Sequence, residues 1–143
     1  MPKIPFDRFA FLDFEASSLD ANSWPIEVGL SWVTSDYEVK TYESLIKPSP
    51  DWFEDAWSPV SADIHNIPRR ALDTAPSVEV VSRELLTVLG DRFALSDAPG
   101  FERFWLEQLL EAAQFLNQVD IRDFDATTFE IFSPLFWTKC MST

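Results

Sequence analysis

The hydrophobic and polar positions at the start of the chain predict three strands. Residues 8–15 are apolar at nearly every position until two acidic residues appear near the end, which is typical of a strand buried on both faces. The stretches 25–34 and 37–47 also favour strands, with a short turn at Ser35 and Asp36 between them. The pattern therefore predicts an antiparallel meander of three strands.

The remainder of the chain favours a long loop followed by alternating helices and strands. Residues 48–68 contain four prolines, which remove backbone donors, so we expect a loop with at most a helical turn near Ser61–His65. Ser77 is suited to cap the next helix. Beyond it the periodicity predicts a helix over 78–89, a strand over 92–96, a helix over 98–117, a strand over 119–124 and a short helix over 126–132. This order predicts an α/β fold in which a mixed sheet is flanked by helices.

Composition limits the classes of protein that fit. With 143 residues, 46% hydrophobic and 15% aromatic, the chain is expected to form a single domain over 1–143. One cysteine excludes an internal disulfide and a cysteine-rich zinc site, and three scattered glycines argue against dinucleotide and P-loop motifs. We expect neither a membrane span nor a secretory signal, and hence a cytoplasmic location.

The net charge of −13 has the wrong sign for a protein that binds nucleic acid through bulk attraction. A bound divalent cation would reverse the local sign seen by a phosphate, so a metal-dependent site remains compatible with this charge. Most of the acidic residues are expected to form an ordinary solvated surface.

Two acidic residues at the end of the first strand are the first candidates for chemistry. Asp13 and Glu15 are two positions apart in an extended segment, so their side chains leave the same face. Like charges beside a buried strand repel unless a proton or cation intervenes. Oxygen ligands without Cys or His favour Mg²⁺ or Mn²⁺ over zinc. The alternative is that both side chains simply point into water.

A third acid lies near the start of the helix predicted over 98–117. Glu102 shares a side with the apolar stripe of that helix, formed by Phe101, Trp105, Leu109, Ala112 and Leu116. An acidic side chain on such a face needs a partner, although a first-turn acid that reaches solvent is the alternative. Asp97 stands in the position of an N-cap, with Pro99 in the first turn.

Three segments in this order resemble the motifs of a known family. FLDFEASSLD resembles the first motif of the DEDD (RNase T-like, DnaQ-like) 3′-to-5′ exonucleases, and SDAPGFERFWLEQL is similar to their second motif. ADIHNIP, between them, is similar to the Ile-His-Gly-Ile segment of that family. The resemblance covers roughly residues 8–120. It implies an RNase H-like fold and metal-dependent hydrolysis of the 3′ end of single-stranded DNA or RNA.

The resemblance also assigns roles to individual residues. It implies that Asp13, Glu15 and Glu102 are catalytic ligands of two Mg²⁺ or Mn²⁺ ions, although the family usually has Asp where this chain has Glu102. Such a metal pair activates water and stabilises the leaving oxygen.

Four further residues are assigned to substrate binding. Ala16 and Ser17 match the turn whose backbone meets the terminal nucleotide, and Leu19 matches the wedge beside its base. His65, in ADIHNIP, is a substrate-binding candidate, with a purely structural role in the loop as the alternative.

The third motif of the family has no match after residue 120, so the usual general base and fourth acid are missing. Asp120, Asp123 and Asp125 are candidates for a fourth ligand, with strand-end and capping roles as the alternative. The C-terminal part, about 125–143, is atypical and is interpreted as truncated or frameshifted. Its apolar residues are expected to favour a homodimer or another partner contact.

The missing motif leaves three functional hypotheses. The first is an exonuclease whose activity is impaired. The second is a catalytically degenerate nucleic-acid-binding or interaction module of the same fold. The third is an acidic protein in which the two acids of the first strand are surface decoration.

Aromatic and basic residues of the loop supply a further candidate surface. Trp52, Phe53 and Trp57 are able to stack on unpaired bases, while a role in sealing the core is the alternative. Arg69 and Arg70 are candidates for phosphate contact or for plain surface charges.

Overall fold

The computed structural model describes residues 6–130, which form one mixed sheet with helices. The strands are β1 (Phe9–Ala16), β2 (Pro25–Val33), β3 (Val39–Leu45), β4 (Phe93–Ser96) and β5 (Ile121–Asp123). Their order across the sheet is β3-β2-β1-β4-β5. The first three strands pair antiparallel, whereas β4 runs parallel to β1 and β5 runs parallel to β4. The predicted mixed sheet, with its antiparallel meander and parallel strands, is confirmed.

Three α-helices, three short 3₁₀ helices and a helical stretch over residues 124–130 complete the described part of the chain. The α-helices are α1 (Pro59–His65), α2 (Val78–Leu89) and α3 (Pro99–Ala112), and the 3₁₀ helices are Phe6–Arg8, Glu54–Ala56 and Arg69–Thr74. None of the helices in this part of the chain is long and apolar enough to cross a membrane.

The main core lies on one face of the sheet, beneath α2 and α3. Alternate residues of β1 point to this face because side chains of a strand alternate in direction. They are buried in one cluster with residues of both helices: Ala10, Leu12, Phe14, Val81, Leu85, Trp105 and Leu109. Each large side chain buried here contributes about 1.5–3 kcal/mol of transfer free energy. The other positions of β1, including Phe11, Asp13 and Glu15, therefore lie on the opposite face.

Local sequence explains the boundaries of α2. The Ser77 side chain accepts a hydrogen bond from the Val80 backbone N–H at 3.3 Å, as expected of an N-cap. At the other end, Gly90 has a φ of 59°, a conformation that costs glycine little and ends the helix. The predicted helix over 78–89 is confirmed.

The predicted helix over 98–117 is too long. α3 ends at Ala112, and Gln114 adopts a left-handed φ of 62°, which breaks the helical path even though the apolar repeat continues. Leu116 is consequently 96% exposed instead of lying on the apolar stripe, and Phe101 is 47% exposed. The expected Asp97 cap is also wrong, because Ala98 occupies the N-cap position and makes no side-chain capping bond.

The proline-rich segment contains more regular structure than predicted. α1 begins at Pro59 and not at Ser61, because Ser58 caps it by accepting from the Ser61 N–H and proline is tolerated at the first helical position. In the last predicted helix, residues 124–130 are helical. Residues 131 and 132 of that prediction, and most of the C-terminal part that the sequence marks as atypical, lie outside the described residues.

Candidate active site

The site forms where β1 loses its neighbour on one side. β1 pairs with β2 along its whole length, to Ala16, but its pairing with β4 stops at Phe11. β4 ends at Ser96, and the chain then turns into α3. The first turn of α3 consequently lies beside the unpaired edge of β1, where the nearby Phe14 backbone N–H lowers the pKa of the Glu102 carboxyl group.

Glu102 is the most unusual ionisable group of this site. Its side chain is 3% exposed, and it lies on the buried side of α3 that its spacing predicts. Burial, followed by the neighbouring charges of Asp13 and Asp97, raises its pKa to about 8 against the opposing effect of the Phe14 N–H. A buried carboxylate in this position is ionised at a substantial free-energy cost.

Asp13 and Glu102 are in direct electrostatic contact. Burial is the main cause of the raised pKa of Asp13, followed by the charge of Asp97, whereas hydrogen bonding with Glu102 lowers it. The Oε2 atom of Glu102 is buried and has no donor partner. Two ionised carboxylates have no hydrogen to donate to each other. This oxygen is therefore satisfied only by a proton shared between the two carboxyl groups or by a cation.

Glu15 belongs to a neighbouring row of acidic residues. Its pKa is raised by burial, then by the charges of Asp13 and Glu27. Glu27 lies directly opposite Glu15 in the β1–β2 pairing, and its own pKa is raised by burial, Glu43 and Asp13. Like charges opposite each other in a sheet are destabilising. Sequence reasoning missed Glu27 and Glu43, which only the register of β2 and β3 could have revealed.

The donor chemistry fits one hard divalent cation better than it fits two. Asp13 and Glu102 offer carboxylate oxygens, the ligands preferred by Mg²⁺ and Mn²⁺, and Oε2 of Glu102 lacks a partner. Within residues 6–130, however, no group of three or more His, Cys, Asp or Glu side chains is arranged to hold a metal ion. The structure thus brings Asp13 and Glu102 together, with Glu15 beside Asp13, without assembling the ligand set of a two-ion centre.

The turn after β1 is occupied by internal hydrogen bonds. The Ser17 N–H donates to the Trp24 carbonyl at 2.9 Å, and Ser17 Oγ accepts from the Trp24 N–H at 3.0 Å. The Ser17 carbonyl accepts from the Ser58 N–H at 2.8 Å. Ser17 is fully buried and Ala16 nearly so. A nucleotide would reach the Ser17 amide only if the bond to Trp24 opened.

Leu19 lies in a more accessible position, on the rim of an open apolar cavity. This cavity has a volume of about 390 Å³ and also contacts Ser23, Gly100, Phe101 and Phe104. Leu19 and Phe101 are both exposed. Phe101 directly precedes Glu102, so the cavity and the Glu102 carboxyl group share the first turn of α3, and the cavity presents two apolar side chains to a ligand.

His65 has a different environment. Its Nδ1 accepts a hydrogen bond from the Ile67 N–H at 3.0 Å, and the edge of its ring contacts Trp57 with ring centroids 5.5 Å apart. Burial lowers its pKa, so the imidazole is neutral at pH 7. The charges that raise the pKa values of Asp13 and Glu102 come from acidic groups, and His65 is not among the groups acting on them.

Two of the aromatic candidates of the loop pack against other residues of the chain. Trp52 and Trp57 pack around Trp24, with ring centroids 5.8 and 6.1 Å away, in a second small core. This contact confirms a core-sealing role for both residues.

Three charged candidates away from the carboxylates, Arg69, Asp120 and Asp123, have partners of their own. Arg69 pairs with Glu54 at 2.7 Å and with Asp73 at 3.0 Å. Asp120 pairs with Arg122, and Asp123 accepts from the Ala126 N–H as a cap. Asp120 and Asp123 therefore have strand-end roles and do not complete a metal site.

Comparison with known proteins identifies the fold. No protein-family model matches the chain, and no curated protein sequence matches it either. Among solved structures, E. coli exonuclease I in complex with a dT13 oligonucleotide aligns with a TM-score of 0.64 at 12% identity, over 80% of this chain and 27% of that chain. A product-bound exonuclease I aligns with a TM-score of 0.66 at 12% identity, over 85% and 31%. An ExoI/SSB-Ct complex aligns with a TM-score of 0.65 at 13% identity, over 80% and 28%.

At these identities the likeness establishes the fold alone. The five-stranded mixed sheet flanked by helices is the RNase H-like fold of these exonuclease I structures. The chain spans less than a third of the length of the exonuclease I chains that it matches.

Proposed function

We propose that this domain binds the 3′ end of a single-stranded nucleic acid and hydrolyses its terminal phosphodiester with the help of Mg²⁺ or Mn²⁺. The observation that carries the proposal is the buried Glu102 carboxyl group, which lies against Asp13 with one oxygen lacking a donor. The likeness to structures of exonuclease I bound to an oligonucleotide and to product supports the same reading. DNA and RNA are both accommodated by this proposal.

Asp13 and Glu102 are the residues that would hold a cation in this mechanism. When bound, the ion would supply Lewis-acid activation of the phosphodiester and of water. Asp13 is the more accessible of the two carboxylates, whereas Glu102 is fixed by α3 and by the Phe14 N–H. Glu15 contributes negative charge beside Asp13 and would orient a water molecule. The chain's single histidine, His65, is not part of this group.

The apolar cavity at the first turn of α3 is suited to the terminal base. Leu19 and Phe101 present exposed side chains there, and stacking on an aromatic ring contributes about 1–3 kcal/mol per base without sequence preference. This mode of contact suits a strand end, because a base in a duplex has no free face. The net charge of −13 means that phosphate contact depends on the cation.

A catalytically degenerate nucleic-acid-binding module is the second candidate. It is favoured by one observation, namely that the described residues 6–130 contain no group of three potential metal ligands. Such a module would keep the base-binding cavity and lose turnover.

A 5′-labelled single-stranded oligonucleotide, incubated with the purified full chain and Mn²⁺, distinguishes these functions. The proposal predicts progressive shortening from the 3′ end, which stops with EDTA, in Asp13→Asn and in Glu102→Gln. Glu107→Gln, which changes an exposed acid on the same helix, is the matched control and should retain activity. Binding without shortening would support the degenerate module, and neither binding nor shortening would overturn both.

A further inference from the structure

A second apolar groove lies on the face of the sheet opposite the main core. It has a volume of about 430 Å³ and is lined almost entirely by apolar atoms, among them those of Phe9, Phe11, Val33, Val39 and Phe124. Phe11 belongs to the central strand of the sheet and is nevertheless 47% exposed, and Val39 is 71% exposed. An apolar patch of this kind marks a surface that another chain segment or molecule covers.

The path of the chain brings it to this groove at the last described residues. The helical stretch 124–130 follows β5 directly, and Phe124 and Thr128, which share one helix face, both line the groove. The rings of Phe124 and Phe11 are in contact, with centroids 4.9 Å apart. The helical stretch, which contains the last described residues, therefore already packs against one wall of the groove.

The composition and length of the next segment suit the part of the groove that residues 124–130 leave uncovered. Residues 131–143 read IFSPLFWTKCMST, which is mostly apolar, contains no acidic residue and carries one charged side chain, Lys139. Thirteen residues extend up to about 43 Å at roughly 3.3 Å per residue. A five-stranded sheet is only about 19 Å across between its outer strands, at about 4.8 Å per strand spacing. The segment is thus long enough to reach every part of the groove.

We propose that residues 131–143 fold back onto this face of their own chain and occupy the groove formed by Phe9, Phe11, Val33 and Val39. The occupant is intramolecular because the preceding residues are already seated there, which gives the segment a high effective concentration at the groove. The groove contains none of the carboxylates of the candidate active site. The proposal is thus independent of catalysis, and its test has a readout that does not involve nuclease activity.

Cysteine crosslinking tests this arrangement, because Cys140 is the only cysteine of the chain and lies within the segment. Val39→Cys places a second thiol at the groove, and Val60→Cys places one on α1, outside the groove. The two valines are equally exposed, at 71%, so they form a matched pair. The full chain is treated at low concentration with a short bismaleimide, and intact mass and peptide mapping quantify the link to Cys140.

The proposal predicts an intramolecular link from position 39 to Cys140 in yield at least about tenfold above that from position 60, because proximity raises the effective concentration. Ser31→Cys, a near-isosteric change at another groove residue, is the second variant and should behave like Val39→Cys. Equal yields from groove and control positions would overturn the proposal. Covalent dimers linked through positions 31 or 39 would also overturn it, in favour of a second copy of the chain as the occupant.

Discussion

The indole N–H of Trp105 donates a hydrogen bond to Ser23 Oγ at 3.0 Å, and both side chains are buried. This bond joins α3 to the segment that follows β1. Phe101 stacks on Trp105 with ring centroids 5.4 Å apart, so the start of α3 and the segment that carries Leu19 form one packed unit. The position of Glu102 beside Asp13 depends on this unit.

Ser23→Ala is expected to lower the free energy of unfolding by about 1–3 kcal/mol, because it leaves the buried Trp105 N–H without an acceptor. Equilibrium denaturation in urea measures the change. Ser31→Ala is the control, since the bond between Ser31 and Thr41 is exposed and its loss should cost clearly less. A smaller loss for Ser23→Ala than for Ser31→Ala would contradict the structure at this point.

The raised pKa of Glu102 predicts a pH-dependent stability. Its pKa is about 8 in the folded chain and near 4.5 in the unfolded chain, so between these values the folded state binds more protons. Stability from this group is therefore fully present below pH 4.5 and is lost as the pH rises through 8.

Glu102→Gln is expected to reduce the loss of unfolding free energy between pH 5 and pH 8 by about 3–4 kcal/mol, since each unit of pKa corresponds to about 1.4 kcal/mol and the shift spans most of this interval. Denaturation at both pH values measures the difference, with Glu107→Gln as a control on the same helix. The raised pKa values of Asp13 and Glu15 also lower the stability as the pH rises, and they do so in both variants. Identical pH dependence in wild type and Glu102→Gln would refute the assignment.

Mn²⁺ is expected to stabilise the chain more at pH 8 than at pH 5, because cation and proton compete for Glu102. At about one hundred times its dissociation constant, a single bound ion adds about 2.7 kcal/mol, which raises the Tm by several degrees. Calorimetry or thermal denaturation measures the shift. Asp13→Asn should abolish it and Asp36→Asn should leave it intact; a shift that survives Asp13→Asn would place the ion elsewhere.

Phe101→Ala and Leu19→Ala are each expected to weaken the binding of a single-stranded oligonucleotide, the former by about 1–3 kcal/mol through lost stacking. Fluorescence anisotropy with a labelled oligonucleotide in the presence of Mn²⁺ measures the affinity. Leu116→Ala is the control, because Leu116 is 96% exposed and lies outside this cavity. Equal affinities for Phe101→Ala and Leu116→Ala would remove Phe101 from the binding surface.

The parts of the fold that local patterns determine were predictable from the sequence. The period of apolar residues defines the strands and α2, and the position of Glu102 on the apolar side of its helix predicts its burial. The contact of Glu102 with Asp13 was expected only from the resemblance to the exonuclease motifs, since no local pattern relates two acids so far apart in the chain.

Features that depend on non-local pairing were not predictable. Glu27 joins the acidic row only because the register places it opposite Glu15. The end of α3 is set by the left-handed Gln114 and not by the apolar repeat, which continues to Leu116. The internal bonds of Ser17 likewise depend on Trp24 and on Ser58, a residue of the proline-rich segment.

The short length of β4 determines the position of Glu102 beside Asp13. Two additional residues in the extended conformation after Ser96 would carry its backbone alongside Asp13 and Phe14, and the Phe14 amide would then face another strand instead of a side chain. Insertions between Ser96 and Pro99 therefore displace the acidic pair even though they leave every acidic residue unchanged. Natural or engineered variants with a different length at this junction would therefore keep the fold and lose the arrangement of the acidic pair.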